Sequence, residues 1–311
     1  MNAIRSILAI VDPTAKEQVA VRKAALLAIA LGAHLELLAC DTRATAELRR
    51  AQGLGSPQGA PASLEEWLRR LARTVRPTLE AHNLDLSTAV ISGDPLHEQL
   101  LQWIGKSPAD LIVKDTHHHT LAQRTFLGNT DWHLIRACRV PLLLTKAIAW
   151  SERPRLAAAL DPREEDEDAP IEHRILECAL LLAAALKGDV RIVHSYVPAM
   201  LPATVGGAAA AVAPSPEVLA AEQAMQRGRI RMLLDRFGLG GLEQHVELGA
   251  PVEYLPRFAE ESSIDLFVMG AQSRSHLKQA VIGSTAERVL ERLPCDVLLI
   301  KPLDPGEALP F

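Results

Sequence analysis

A chain of 311 residues with 48% hydrophobic and 23% charged residues has enough apolar material for two buried cores without disulfide or metal staples. Its formal charge of −5, with Lys and Arg dispersed, excludes the basic face of a nucleic-acid binder, and apolar runs such as Ala179 to Leu186 fall far short of the roughly 18 residues of a membrane span. Four scattered cysteines, Cys40, Cys138, Cys178 and Cys295, read as buried free thiols, and with no leader-like segment ahead of the first strand a cytoplasmic protein is expected.

Arg5 to Val11 predicts a strand ending at Asp12-Pro13, and Val19 to Leu31 a helix stopped by Gly32. Leu35 to Cys40 is a second strand. Residues 41–64 hold turn formers too dense for a regular element, after which Ser63-Leu-Glu-Glu66 has the form of a capping box and opens a helix expected to end at Pro77. Thr88 to Ile91 is a third strand closing on Gly93-Asp-Pro95. A helix from Leu96 to Lys106, a strand from Asp110 to Lys114, a long loop to Gly128-Asn-Thr130, a helix through Arg136 and a strand from Pro141 to Thr145 complete the first half. Strands alternating with helices of this length predict parallel pairing.

The same order then repeats. Arg155 to Leu160 ends at Asp161-Pro162 as the first strand ended at Asp12-Pro13, Ile171 to Lys187 is the helix stopped by Gly188, and Val190 to His194 is the next strand. Pro198 to Pro216 is an irregular insertion in the matching place. Val246-Glu-Leu-Gly-Ala-Pro251 mirrors Val90-Ile-Ser-Gly-Asp-Pro95, Asp265 to Val268 mirrors Asp110 to Val113, and Gly283-Ser-Thr mirrors Gly128-Asn-Thr. This is an internal duplication. The expected units are residues 1–148 and 153–304.

The most informative stretch runs from Met269 to Glu287. A buried strand ends at Gly270, the chain loops, and a helix opens at Gly283-Ser-Thr, so unpaired N–H groups at Ser284 and Thr285 could face an anion. Ser284 and Glu287 also match a capping box, which by itself binds nothing.

On these residues the chain resembles the universal stress protein family in its tandem, two-domain form. ATP-binding members carry Gly, two residues, Gly, nine residues, Gly, then Ser or Thr. Here Gly270, Ser273, Gly283 and Ser284 fall on those positions, with Ser273 replacing the second glycine. The family's first-strand Asp is matched by Asp12 and Asp161. The resemblance implies an α/β fold of two tandem open five-stranded parallel sheets, adenine nucleotide α-hydrolase-like, in strand order 3-2-1-4-5 with helices on both faces. The halves would pair as a family dimer does, and whole chains could pair as a homodimer. It also implies ATP, with or without Mg²⁺, as ligand. Asp161 would accept from the adenine amino group, while Ser195 and Met269 would flank base and ribose. Gly270, Ser273 and Arg274 would contact ribose and phosphates, and Gly283, Ser284 and Thr285 would hold the phosphate tail.

The halves differ at this loop. Asp115, His118, Gly128 and Asn129 stand where the second half has Gly270, Ser273, Gly283 and Ser284. A carboxylate in the phosphate path and a bulky imidazole predict that the first half does not take ATP in the family's pose. His117-His118-His119 with His133 is read as a polar loop rather than a metal site, and Glu164 to Asp168 as a solvated acidic run. Trp67, Trp103, Trp132 and Trp150 are read as core and half-to-half packing.

No G-x-x-x-x-G-K-[ST] loop or orienting base is present, so catalysis would extend at most to slow ATP hydrolysis. The leading reading is a stress-response regulatory protein that binds ATP in its second half. The alternative is a nucleotide-free scaffold or carrier for an apolar small molecule or a partner protein, with the insertions at 41–64 and 198–216 covering the cleft.

Overall fold

The computed structural model describes residues 3–15, 17–43, 47, 63–107, 109–116, 129–161, 170–198, 201–205, 208–212, 214–271 and 284–302. The first half runs β1 (Ser6–Val11), α1 (Val19–Leu31), β2 (His34–Asp41), α2 (Leu64–Glu80), β3 (Leu86–Ser92), α3 (Leu96–Lys106), β4 (Leu111–Asp115), α4 (Asn129–Ala137) and β5 (Leu142–Thr145). The second runs β6 (Arg155–Ala159), α5 (Pro170–Leu186), β7 (Asp189–Tyr196), β8 (Leu201–Val205), β9 (Ala208–Val212), α6 (Pro216–Arg236), β10 (Glu243–Leu248), α7 (Pro251–Glu261), β11 (Leu266–Gly270), α8 (Ser284–Leu290) and β12 (Asp296–Ile300).

Ten strands form one sheet in the order β10-β7-β6-β11-β12-β5-β4-β1-β2-β3, with β8 and β9 apart as a hairpin. Each half therefore has the order 3-2-1-4-5. All pairs within a half are parallel, and the halves join through the antiparallel pair β5–β12, where Leu142 faces Leu299 and Leu144 faces Val297. The strands are apolar runs because both faces are covered: Ile7, Leu8 and Ala9 of β1 and Leu266, Phe267 and Val268 of β11 are all fully buried. Alternate residues feed two cores, one under α1, α2, α5 and α6 and one under α3, α4, α7 and α8, and both cores continue across the seam.

Two elements depart from the sequence reading. Helix α2 runs through Pro77 to Glu80, because Ser63 Oγ caps it at the Glu66 N–H (3.2 Å) and Leu79, fully buried, anchors its last turn. The missing N–H of Pro77 falls near the helix end, where one lost bond is tolerated. The insertion after β7 is not irregular throughout: β8 and β9 pair antiparallel, Leu201 with Val212 and Val205 with Ala208. The pairing of the two strands overrides the weak strand propensity of the alanines.

Gly188 has a packing reason that its place after α5 does not suggest. The left-handed residue there is Lys187 (φ 55°), whereas Gly188 lies under the Pro154 carbonyl, which accepts from the Asp189 N–H at 3.0 Å. A Cβ on Gly188 would stand 2.2 Å from that oxygen. Gly188→Ala is expected to lower the unfolding free energy by about 3 kcal/mol, the upper range for overpacking, whereas Gly228→Ala on α6, with nothing nearby, stabilises or leaves it unchanged. Urea titrations of the two variants check this.

The seam carries a buried polar node. Asp296, 1% exposed, accepts from the Lys146 N–H (2.8 Å), the Trp150 indole N–H (2.8 Å) and Lys23 Nζ (2.5 Å), which also donates to the Lys146 carbonyl at 2.9 Å. Lys146 Nζ in turn donates to the Leu293 carbonyl. On the other face Arg136 reaches Glu287 at 3.0 Å, so Glu287, the candidate capping-box acid, bridges the halves. Burial pushes the Lys146 ammonium down from 10.5 to about 8. The unfolded chain thus binds this proton more tightly, and the resulting penalty is full below pH 8 and fades as pH rises toward 10.5. Between pH 7 and 9 the wild type should gain about 1 kcal/mol of stability relative to Lys146→Met. Comparing the two proteins cancels the contribution of Cys40, Cys138 and Cys178, whose thiols burial pushes up; Cys295 interacts with Lys146 itself.

Candidate functional site

In the second half the strand order reverses at β6, which lies between β7 and β11. Past the carboxyl ends of these strands is the place where open α/β sheets take ligands. The register sets Met269 beside Ala159 and Val193 on the other side of Ala159, so Asp161, Ser195 and Gly270 emerge together at one end of the sheet. Asp161 holds its carboxylate outward, its side chain 56% exposed. Ser195 is buried and its Oγ has no hydrogen-bond partner among the described residues. Met269 is buried among the residues of the α7 and α8 face, so its main chain rather than its thioether is nearest the crevice. Helix α8 begins at Ser284, with Thr285 half-buried behind it. Ser273, Arg274 and Gly283 lie outside the described residues, as does the side chain of Ser284.

One residue of this crevice escaped the sequence reading. His194, buried beside Ser195, donates from Nδ1 to the Leu160 carbonyl at 2.8 Å and lies 3.9 Å from Asp161 Oδ1. Its Nε2 is buried and has no partner among the described residues, leaving a lone pair for a ligand N–H or O–H. A histidine in the buried run Val190 to Tyr196 was the available signal. Gly270 also has a duty besides ligand approach: a Cβ there would sit 2.9 Å from Ile171 Cδ1, so its absence lets α5 pack onto β11.

The matching crevice of the first half is built differently. Asp115, at the end of β4, is buried, accepts from Thr145 Oγ1 at 2.7 Å and from the Ala20 N–H, and so caps the start of α1. Burial pushes this carboxyl up. Its neighbour Lys114 is paired with Asp131 of α4 at 2.6 Å, both buried, where the second half has Met269 and Ala286. Asp12 accepts from the Thr14 N–H (2.8 Å) and Oγ1 (2.6 Å), a local turn that turns its carboxylate onto its own loop. The two register sets put Cys40 where Ser195 stands; burial, with Asp94 and Asp41 close by, pushes its thiol up to about 11. Thus Asp12, Asp41, Asp94 and Asp115 gather at this end of the first half. The counterparts of the last three are Tyr196, Ala250 and Gly270, all uncharged.

A separate groove of about 680 Å³ lies at the seam, between α1, the 147–154 segment and the end of α5. Leu26, Ile29, Ile148, Trp150 and Leu186 line it, with Arg22 among its polar residues. The sequence reading placed an apolar cleft under the two insertions, most of which lie outside the described residues; this groove at the half-to-half junction is a separate feature. Of the four tryptophans, Trp67 and Trp150 pack on one core and Trp103 and Trp132 on the other. Among the described residues no cluster of three or more metal-ligating side chains occurs and no helix is long and apolar enough to cross a membrane. His133 stacks on His97 of α3 at 3.7 Å between ring centroids, while His117 to His119 lie outside the described residues.

Two open parallel sheets joined edge to edge, each with a switch-point crevice, define a tandem doubly wound α/β protein. The sequence profile of the universal stress protein family matches residues 3–146 and 165–301, and the chain belongs to that stress-response family. It is 26% identical to universal stress protein E of Salmonella typhi over 97% of this chain and 96% of that protein. It is likewise 26% identical to universal stress protein E of Escherichia coli strain K12, over 97% and 95%. Among solved structures it is similar to a protein of Pseudomonas aeruginosa PAO1 described as functionally unknown, at a TM-score of 0.74 and 25% identity over 96% of this chain and 93% of that one. A universal stress protein of Archaeoglobus fulgidus DSM 4304 has the same fold, at a TM-score of 0.61 and 17% identity over 95% and 97%.

Proposed function

We propose that this protein is a cytoplasmic regulator of the stress response that binds ATP in its second half, residues 153–304, and hydrolyses it slowly at most. The observation that supports this best is the unequal charge of the two crevices. Phosphates carry negative charge, and three carboxylates of the first crevice have neutral counterparts in the second. Ser195 Oγ and His194 Nε2, buried and without partners among the described residues, suit the hydroxyl and amino groups of a nucleoside. Asp161 would accept from the adenine amino group; Met269, Gly270 and Thr285, with Ser273, Arg274, Gly283 and Ser284 of the signature, would hold ribose and phosphates. A Mg²⁺ ion would travel with the phosphates. The first half, residues 1–148, would serve as the structural partner.

Isothermal titration of ATP into the full chain should give one site per chain. No heat, together with no displacement of a fluorescent ATP analogue, would remove the nucleotide reading. The seam groove favours a second reading, a carrier of an apolar small molecule, for which native mass spectrometry of the purified chain would show an added mass lost on organic extraction.

A further inference from the structure

We propose that α6 is a self-association surface, pairing antiparallel with α6 of a second copy of this chain. This inference does not depend on the nucleotide reading. The helix packs beside the edge strand β10, buries Ile230, Leu233 and Leu234 inward, and is tied to β10 by Gln223 Nε2 on the Val246 carbonyl at 3.3 Å. Its outward face is unusual. Val218, Met225 and Met232 are 42%, 45% and 62% exposed, and Ala221 and Gly228 fall between them on the same face. Positions 218, 221, 225, 228 and 232 follow the alternating three- and four-residue spacing of a coiled-coil seam, over a helix about 30 Å long. The small residues at 221 and 228 let a second helix approach closely.

The equivalent helix of the first half is an internal control. On α2 the outward positions Glu65, Arg69, Arg70 and Arg73 are charged, and Arg69–Glu65 and Arg70–Glu66 pair along the helix at 3.3 and 2.6 Å. Duplication gave both halves this helix, and only α6 presents an apolar stripe to solvent.

Charge identifies the occupant and its direction. Beside the stripe, Glu217 and Glu222 lie in the first half of α6 and Arg227, Arg229, Arg231 and Arg236 in the second, with Asp235 near the end. With a two-fold axis at Met225, an antiparallel copy sets Val218 opposite Met232, brings Arg229 next to the level of Glu222 and Arg231 near that of Glu217, each pair within side-chain reach and occurring twice. A parallel copy would set Glu217 near Glu222 and Arg231 near Arg236, like against like. Flanking charges of this kind decide partner and orientation in helix pairs. Arg231 reaches Asp235 at 3.9 Å, both largely exposed, an arrangement easily exchanged.

Sedimentation velocity on the full chain tests this. The wild type should sediment as a dimer of 33.7 kDa subunits, and Met225→Glu, which sets two carboxylates face to face on the axis, as a monomer with an unchanged circular-dichroism spectrum. Glu222→Arg and Arg229→Glu should each weaken the dimer by about tenfold or more, and the double variant should restore it. A wild type that stays monomeric at its highest soluble concentration, a dimer indifferent to Met225→Glu, or a double variant no better than the singles would overturn the proposal.

Discussion

Alanine at position 296 is expected to lower the unfolding free energy by about 3–5 kcal/mol, read from urea denaturation at pH 7. Asp296 takes three hydrogen bonds from the first half and from the segment leading out of it, and it is 1% exposed. Removing the carboxylate strands the Lys23 ammonium, itself buried, with the Lys146 carbonyl and the Trp150 ring face at 5.2 Å but no counter-ion among the described residues, and takes away the acceptor of the Trp150 indole N–H. An uncompensated buried charge is the expensive part of such a loss, so the double variant Asp296→Ala with Lys23→Met should recover much of it. The pair therefore serves register more than raw stability. Lys23 comes from α1 and Asp296 opens β12, and no slipped seam would satisfy both. A loss under 1 kcal/mol in Asp296→Ala would show that the β5–β12 ladder and the two cores hold the halves unaided.

ATP binding should weaken about 10- to 100-fold in Asp161→Ala and remain unchanged in Asp12→Ala, measured by titration calorimetry. The two aspartates stand at equivalent strand ends yet differ in what they touch. Asp12 is folded onto Thr14, while Asp161 reaches outward beside His194. Since Asp161 is largely exposed, its loss should not disturb folding, which separates a binding effect from a stability effect. Gly283→Asp should abolish binding and Gly128→Asp should leave it intact. Equal effects of the Asp12 and Asp161 substitutions would instead mean two working sites.

Much of the fold was legible because its signals are local. The Asp-Pro strand ends, Gly32 in the left-handed conformation after α1, and the matched Gly-x-Pro turns before α3 and α7 all mark boundaries by backbone chemistry. The duplication then made each half a check on the other. Pro77 misled because a helix end is decided by the burial of Leu79 as well as by the proline. Within the crevice, the family resemblance named Asp161, Ser195 and Gly270, and comparison of the two halves marked Asp115 as the odd residue of the first half. Its duty as the cap of α1 could not be read, since that bond joins residues nearly a hundred positions apart. His194 was hidden for the same reason: only the fold shows that Nδ1 is satisfied and that Nε2 has no partner among the described residues.

The antiparallel β5–β12 pair has a consequence for what happens if the chain is cut. A sheet exposes unpaired N–H and C=O groups only along its outer strands, and here those are β3 and β10. Proteolysis in the 147–154 segment would leave the fragments held by the seam, by the shared cores and by Lys23 on Asp296. Expressed singly, either half would present β5 or β12 as a raw strand edge flanked by apolar side chains, a template for pairing with any copy of itself. Joining the halves in one polypeptide removes that hazard at synthesis, because the complementary edge always arrives on the same molecule.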